Sequence, residues 1–580
     1  METRETEQGK KNLTRRSLLG GAAALSSAAV VSGVAAPLAP KAWAAATRSS
    51  QQKYHPIVAS STKNVVETDS GKIYGYGRDG VVGYRGIPYG ASTEAKNRFM
   101  PPAKPEPWTG VRSALYWGWA SPCSMNATWD GRRPNWARDD ESFMFEWDDG
   151  QASEDCLRLN VWTPGLDNNK RAVMFWIHGG GMVFGSDNEL RAYDGENLAR
   201  RQDVVVVSLN HRLGVLGFLN LMEYGDQYAS SPNVSMLDII QALKWVQTNI
   251  ANFGGDPNRV MIFGQSGGGS KVGTLMGMPA AKSLFHRASI QSGSSLRQST
   301  VETSANLAHA TLAELGVTKD NIGKLHTDFT YQQIVQAALV GQKKASQGAT
   351  PLPGMPGVNW GPVVDGKLIP RDTWTPAAPD ESAGVPLIVG TVLNEANNSV
   401  QMGNASLEDV DEAGAKKLLE RSMGSHTDQV YAVAKKLYPD AKPFELFSRA
   451  AAMRQRMNAL AQAELKTKQG TPAYHYRFEY QSPLCDGRAR AFHTSELPFC
   501  FQNAELCAKL TGNTPQTHVL AEQVAGAWAA FAKTGNPNHA ALPKWDAFSD
   551  KIPTMTFDTE CALKDDPDRE LRQAVKEATA

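Results

Sequence analysis

The stretch Val260-Met261-Ile262-Phe263-Gly264-Gln265-Ser266-Gly267-Gly268-Gly269 constrains this chain more than any other. Four apolar residues lead into a serine with glycine two places before it and two places after it. Following a strand, Gly-x-Ser-x-Gly makes a sharp turn that lifts the serine hydroxyl clear of the sheet edge. Side chains at the flanking positions would collide in that turn, so it needs glycine there. The turn feeds a helix whose unpaired N–H groups point at developing negative charge. A phosphate loop is the rival reading of the same glycines. Gly264 to Gly269 has the Gly-x-x-x-x-Gly spacing, but Ser270-Lys271 follows where that loop needs lysine and then serine or threonine. The pentapeptide can also arise by chance in 580 residues with 51 glycines, so the rest of the chain has to decide.

The surrounding pattern predicts an α/β fold. Residues 172–177, 204–209 and 385–392 are continuous apolar runs, as in strands buried on both faces of a parallel sheet. Residues 157–161 and the tyrosine-rich 473–480 read as further strands, and 65–89 as short strands with turns. Residues 237–251 carry Ile240, Leu243, Trp245 and Ile250 at helical spacing. Longer helical patterns run through 303–347 and 407–471. Strand and helix therefore alternate, which implies a large, mostly parallel central sheet flanked by helices. The intervening 99–153 is rich in loop residues and tryptophan (Trp108, Trp117, Trp119, Trp129, Trp136, Trp147). Loops this long inside a large domain are functional or covering elements, and most of these rings read as core.

The N-terminus reads as a targeting segment. Thr14-Arg15-Arg16-Ser17-Leu18-Leu19 precedes a weakly apolar run to about Leu38, and Ala42-Trp43-Ala44 offers a small-x-small cleavage signal. This is the pattern of a twin-arginine export signal over 1–44, removed in the mature protein. The expected organisation is then a linker over 45–62, one catalytic domain over 63–570 and a tail over 571–580. The expected destination is the periplasm or the medium. No later stretch is long and apolar enough to span a bilayer. A net charge of +1 from 60 basic and 59 acidic residues gives no electrostatic case for nucleic acid. Six cysteines suit an oxidising destination and sit in no metal-ligating pattern, so neither a metal nor a cofactor is expected.

Four segments, each following a strand-like run, carry the chemistry; such loops gather at the carboxyl edge of an α/β sheet. His178-Gly179-Gly180-Gly181 follows 172–177. An unsubstituted glycine run lets backbone N–H groups approach an oxyanion, so Gly180 and Gly181, with the N–H of Gly267, are the candidate oxyanion hole. His178 reads as structural. Ser266 is the candidate nucleophile, needing a base to take its proton. Glu395, just past 385–392, is the candidate acid that orients the base. His493, after 473–480, is preferred among 11 histidines as that base. It completes the chain order serine, acid, histidine.

With these residues in view, the chain resembles a type-B carboxylesterase of the cholinesterase-like group within the α/β-hydrolases. The likeness runs from about Val65 to Asp558. It includes Gly86-Ile87-Pro88-Tyr89, Ser153-Glu154-Asp155-Cys156-Leu157, Asn210-His211-Arg212-Leu213-Gly214, Gln291-Ser292-Gly293-Ser294 and Thr534-Gly535-Asn536-Pro537-Asn538. The resemblance implies an α/β-hydrolase fold, a small-molecule ester substrate and Ser292 as a hydroxyl supporting Glu395. It also implies a Cys123–Cys156 disulfide, closing a loop of about 33 residues and contributing roughly 3–4 kcal/mol. In the family that loop lines the substrate gorge. The sequence departs from the family pattern at Gln265, often Glu, and at Asn394-Glu395-Ala396, often Asp-Glu-Gly. Fewer carboxylates beside the serine weaken the case for a cationic substrate. Arg132, Arg133 and Arg138 read mainly as surface charge, with an acidic ester as the other reading. An amidase or thioesterase with the same triad, or a non-catalytic recognition protein on this fold, are the alternative readings; oligomeric state is left open.

Overall fold

The apolar runs become the middle of a twelve-stranded sheet. The structure, a computed structural model, describes residues 56–123, 143–146, 150–347, 358–397 and 408–579. The export-signal segment, Arg132, Arg133, Arg138, Trp129, Trp136 and Trp147 lie outside the described residues. In chain order the strands are β1 (Val58–Ala59), β2 (Tyr76–Arg78), β3 (Val81–Pro88), β4 (Arg158–Thr163), β5 (Arg171–Ile177) and β6 (Val205–Leu209). They continue with β7 (Gly255–Gln265), β8 (Arg287–Gln291), β9 (Leu387–Val392), β10 (Ala473–Phe478), β11 (Pro553–Phe557) and β12 (Ala562–Asp565). Their order across the sheet is β1-β2-β3-β4-β6-β5-β7-β8-β9-β10-β11-β12. From β6 through β11 neighbours run parallel. The two margins are antiparallel.

Crossovers between parallel strands place helices on both faces, so the central strands must be apolar on both sides. In β5, Val173, Phe175 and Ile177 enter one core, and Ala172, Met174 and Trp176 enter the other. The first core is covered by the helices Val234–Asn249, Gly267–Leu275 and Val301–Glu314, the second by Glu196–Gln202 and Pro515–Thr534. Removing a side chain such as Phe175 from water contributes about 1.5–3 kcal/mol. A charge at any of these positions would be far costlier than a methylene lost.

The topology also sets where a ligand can sit. After β5 the chain goes to β6 on one side, and then returns to β7 on the other. Loops leaving the carboxyl ends of β5 and β7 therefore part, and the crevice at such a switch point is where open α/β sheets bind ligands.

Two segment expectations differ from what the chain does. Within the expected 45–62 linker, Val58–Ala59 pairs antiparallel with Tyr76–Arg78. Two exposed residues carry no apolar pattern, so the strand left no trace in the sequence. The expected 571–580 tail is helical over Arg569–Ala578. Leu571, Ala574 and Val575 of that helix are buried against helices Glu412–Met423, Thr427–Leu437 and Pro443–Lys468 in a third core. Three small apolar residues among charges are a helix stripe, and reading the segment as a tail missed that period.

Candidate active site

Ser266 stands at the hinge between β7 and the helix Gly267–Leu275, with φ 57° and ψ −123°. A non-glycine residue held there costs on the order of 1–3 kcal/mol and persists only when its surroundings fix it. They do so by hydrogen bonds on both sides. Ser266 N donates to Gln291 O at 2.8 Å, and Ser266 O accepts from Ser270 N at 3.0 Å. The glycines allow the approach. A Cβ on Gly264 would lie 2.7 Å from Ile177 O, one on Gly267 2.0 Å from Gly181 O, and one on Gly268 2.0 Å from Ile177 O. The N-terminus of the helix is thus pressed against the end of β5.

That contact makes a stability prediction. Gly268→Ala gains up to about 1 kcal/mol of helix propensity, but its methyl overlaps a carbonyl anchored in the central sheet. Overpacking of this kind costs about 1–3 kcal/mol, so the variant is expected to unfold at lower urea than the wild type. An unchanged or higher midpoint would show that the turn has slack which the contact distances deny.

The 178–181 loop lies on the same contact. Gly180 and Gly181 have φ of +80° and +63°, and a Cβ on Gly180 would meet Phe184 O at 2.2 Å. Among the described residues, the backbone N–H groups of Gly180, Gly181 and Gly267 donate to no acceptor. Gly181 and Gly267, two of the three residues with unspent donors, lie against each other. His178 is buried and stacks on His211 with centroids 4.9 Å apart. Its Nδ1 lies 3.0 Å from Gly179 O. Burial, then the nearby Lys271 charge, pushes its pKa well below the ordinary imidazole value. Burial thus favours its neutral form.

Glu395 and His493 meet directly. His493 Nδ1–H donates to Glu395 Oε2 at 2.6 Å, and Glu395 Oε1 accepts from Val392 N at 3.0 Å. Their loops are tied together by Asn394 N to Ala491 O at 3.0 Å and His493 N to Asn397 O at 2.9 Å. Burial disfavours the charged imidazole, but the Glu395 carboxylate and its hydrogen bond outweigh it, with Glu496 behind, so the pKa is held above the usual value. The other ring nitrogen, His493 Nε2, accepts from the Gln265 side-chain amide at 3.3 Å. The imidazole is therefore aimed at the turn that carries Ser266, with the adjoining residue as its partner. Ser266 Oγ itself makes no hydrogen bond to His493.

One family-implied feature takes another form, and the described residues do not show a second. Ser292 Oγ is buried without a partner and does not reach Glu395. The backbone N–H of Ser292 donates to Gly390 O at 2.9 Å in β9. The described residues contain no disulfide, and Cys123 and Cys156 are both buried. Three residues near the site were not singled out from the sequence as participants. Gln265 was noted only as a departure from the family pattern, though adjacency to the nucleophile pointed to it. Glu496, 1% exposed and three places after His493, has its carboxyl pushed up to about 7 by burial and by Glu395. Lys271, one helical turn past Gly267, is fully buried. Among the described residues, no cluster of three or more His, Cys, Asp or Glu is placed to hold a metal ion.

Comparison with known proteins gives concordant results. The model of the carboxylesterase family matches residues 62–574. The para-nitrobenzyl esterase of Bacillus subtilis is 33% identical over 516 residues, covering 88% of this chain and 98% of its own. Human cocaine esterase is 32% identical, covering 83% and 85%. Among solved structures, an esterase from Clostridium hathewayi superposes with a TM-score of 0.75 at 34% identity, covering 90% of this chain and all of its own. A carboxylesterase from Geobacillus stearothermophilus gives 0.73 at 33% identity, covering 88% and 100%.

Proposed function

The chain belongs to the carboxylesterase family and is a carboxylic ester hydrolase, and from that premise we propose that it acts through an acyl-enzyme on Ser266 after export from the cell. In this reading Ser266 Oγ attacks the ester carbonyl while His493 Nε2 takes its proton, exchanging the Gln265 amide for the serine hydroxyl. Glu395 fixes the Nδ1–H tautomer and stabilises the imidazolium. The N–H groups of Gly180, Gly181 and Gly267 receive the oxyanion, each donor contributing on the order of 3 kcal/mol. Collapse expels the alcohol, protonated by His493. Water then repeats the sequence on the acyl group and frees the acid and Ser266.

The observation that carries this reading is the 2.6 Å Glu395–His493 contact, with the opposite ring nitrogen turned to the Gln265–Ser266 turn. Three unspent N–H groups beside that turn complete the requirement. Reaction of the purified protein with a fluorophosphonate should give one adduct, and peptide mass spectrometry should locate it on Ser266. Rates on a matched ester and anilide should differ by orders of magnitude in favour of the ester. An adduct on another serine would overturn the assignment, and comparable rates would favour the amidase reading. The 1–44 segment supports export to the periplasm or medium. There, oxidation of Cys123 and Cys156 to a disulfide is part of the same proposal. The substrate is a small ester. No described helix is long and apolar enough to cross a membrane.

A further inference from the structure

We propose that Lys271 is a positioning residue: its buried ammonium holds the 178–181 loop against the helix that begins after Ser266 and lends positive potential to the oxyanion site. The inference rests on the mechanism proposed above. Lys271 lies four residues after Gly267 on the Gly267–Leu275 helix, hence on the same helical face. It is fully buried, and its Nζ donates to His178 O at 3.4 Å. His178 opens the loop that carries Gly180 and Gly181, and that loop touches Gly267. One side chain therefore spans from the helix to the loop that together supply all three donors.

Stability alone does not explain a lysine here. A buried charge costs several kcal/mol, and an apolar residue of the same length would fill the space without that penalty. The two histidines nearby do not neutralise it. His178 on the loop and His211 beyond it are both pushed well below their ordinary pKa, first by burial and then by Lys271. Their Nε2 atoms are buried without partners. Asp187 is engaged by Asn160 and Asn210, and Arg212 by Asp238. Glu189 favours the charged lysine, though burial pushes its own carboxyl up to about 8. The positive field is consequently felt along the loop, where charge develops when the ester carbonyl is attacked.

Burial pushes the Lys271 amine down to about 7, with Glu189 opposing. The amine is charged below that range and neutral above it. The kcat of the wild type is thus expected to fall as pH rises through and beyond neutrality, in addition to the acid limb set by His493. Lys271→Met is expected to lower kcat about 10- to 100-fold with KM little changed, since only the transition state carries the oxyanion. The alkaline limb should disappear from its profile. Lys271→Arg keeps a charge that does not titrate, so it should restore most of kcat without the limb.

The test is the pH dependence of kcat on p-nitrophenyl acetate for the three proteins, each first titrated with a fluorophosphonate to count competent sites. A wild-type profile flat from neutrality to pH 9 overturns the proposal by itself, whether or not the variants fold. So does a Met variant with undiminished kcat and an unaltered alkaline limb. A wild type that neither hydrolyses the ester nor takes the label refutes the acyl-enzyme reading instead, so the two failures are distinguishable.

Discussion

Ser266→Ala is expected to lose about a million-fold in kcat on a simple ester while unfolding at the wild-type urea concentration. The size of the loss follows from removing the atom that forms the covalent bond. What remains is the oxyanion site and substrate binding, which in comparable serine hydrolases leave a residual of about a thousand- to ten-thousand-fold over water. Stability should hold because nothing structural depends on the hydroxyl. The turn is fixed through Ser266 N to Gln291 O and Ser266 O to Ser270 N, both backbone contacts. Alanine has the same Cβ at φ 57° as serine, so the strain is neither relieved nor increased. A difference above about 0.5 kcal/mol would be unusual for such a change. Initial rates and urea unfolding of the purified variant check both halves. Activity above a hundredth of wild type would move the nucleophile elsewhere. A large drop in stability would mean that the hydroxyl has a structural partner.

The sequence reveals the most apolar strands of this fold and loses the very short or polar ones, for one physical reason. Buried parallel strands have to be apolar on both faces, so β5, β6 and β9 stand out within one or two residues of their ends. The outermost strands, β1 and β12, are two and four residues long, and none of their residues is buried. β8, Arg287-Ala288-Ser289-Ile290-Gln291, was not anticipated. It is five residues long, three of them polar, yet Ala288 through Gln291 are fully buried. Of its polar side chains, Gln291 is engaged by a neighbour the sequence cannot show, Trp528, whose Nε1 donates to Gln291 Oε1 at 3.2 Å. The site divides in the same way. Ser266, the glycine loop, Glu395 and His493 each follow a strand, so chain order made them candidates. What Gln265, Glu496 and Lys271 face depends on packing between segments remote in the chain. Ser292 marks the opposite case: the family resemblance implied a hydroxyl contact with Glu395, and that hydroxyl is buried without a partner.

Glu395→Gln should lower kcat about ten-thousand-fold with the fold intact, and the reason lies in counting donors. In the wild type both carboxylate oxygens accept, Oε1 from Val392 N and Oε2 from His493 Nδ1. A glutamine has one oxygen, so its NH2 must face either the backbone N–H or the imidazole. Keeping the backbone bond turns the NH2 toward Nδ1, which then has to accept, and the proton moves to Nε2. A ring protonated at Nε2 cannot take the serine proton; the same substitution in a comparable triad has an effect of this size. The Gln265 amide, which donates to Nε2 now, would have to turn its oxygen to the ring. The residual activity should carry a second signature. Since the Glu395 carboxylate is what holds the imidazole pKa up against burial, its loss lets that pKa fall. The His493 base must be neutral to act, so the acid limb of kcat/KM should move to lower pH. Glu496 responds as well. Its carboxyl stands near 7 chiefly through burial, with Glu395 adding repulsion, so removing that charge should let it ionise earlier. Ionised Glu496 would then return part of the lost support to the imidazole and limit the displacement of the limb. Glu395→Gln alone and combined with Glu496→Gln separate these contributions, the double variant being expected to show the larger shift to low pH. A limb that stays in place in both would mean that neither carboxylate sets the basicity of His493.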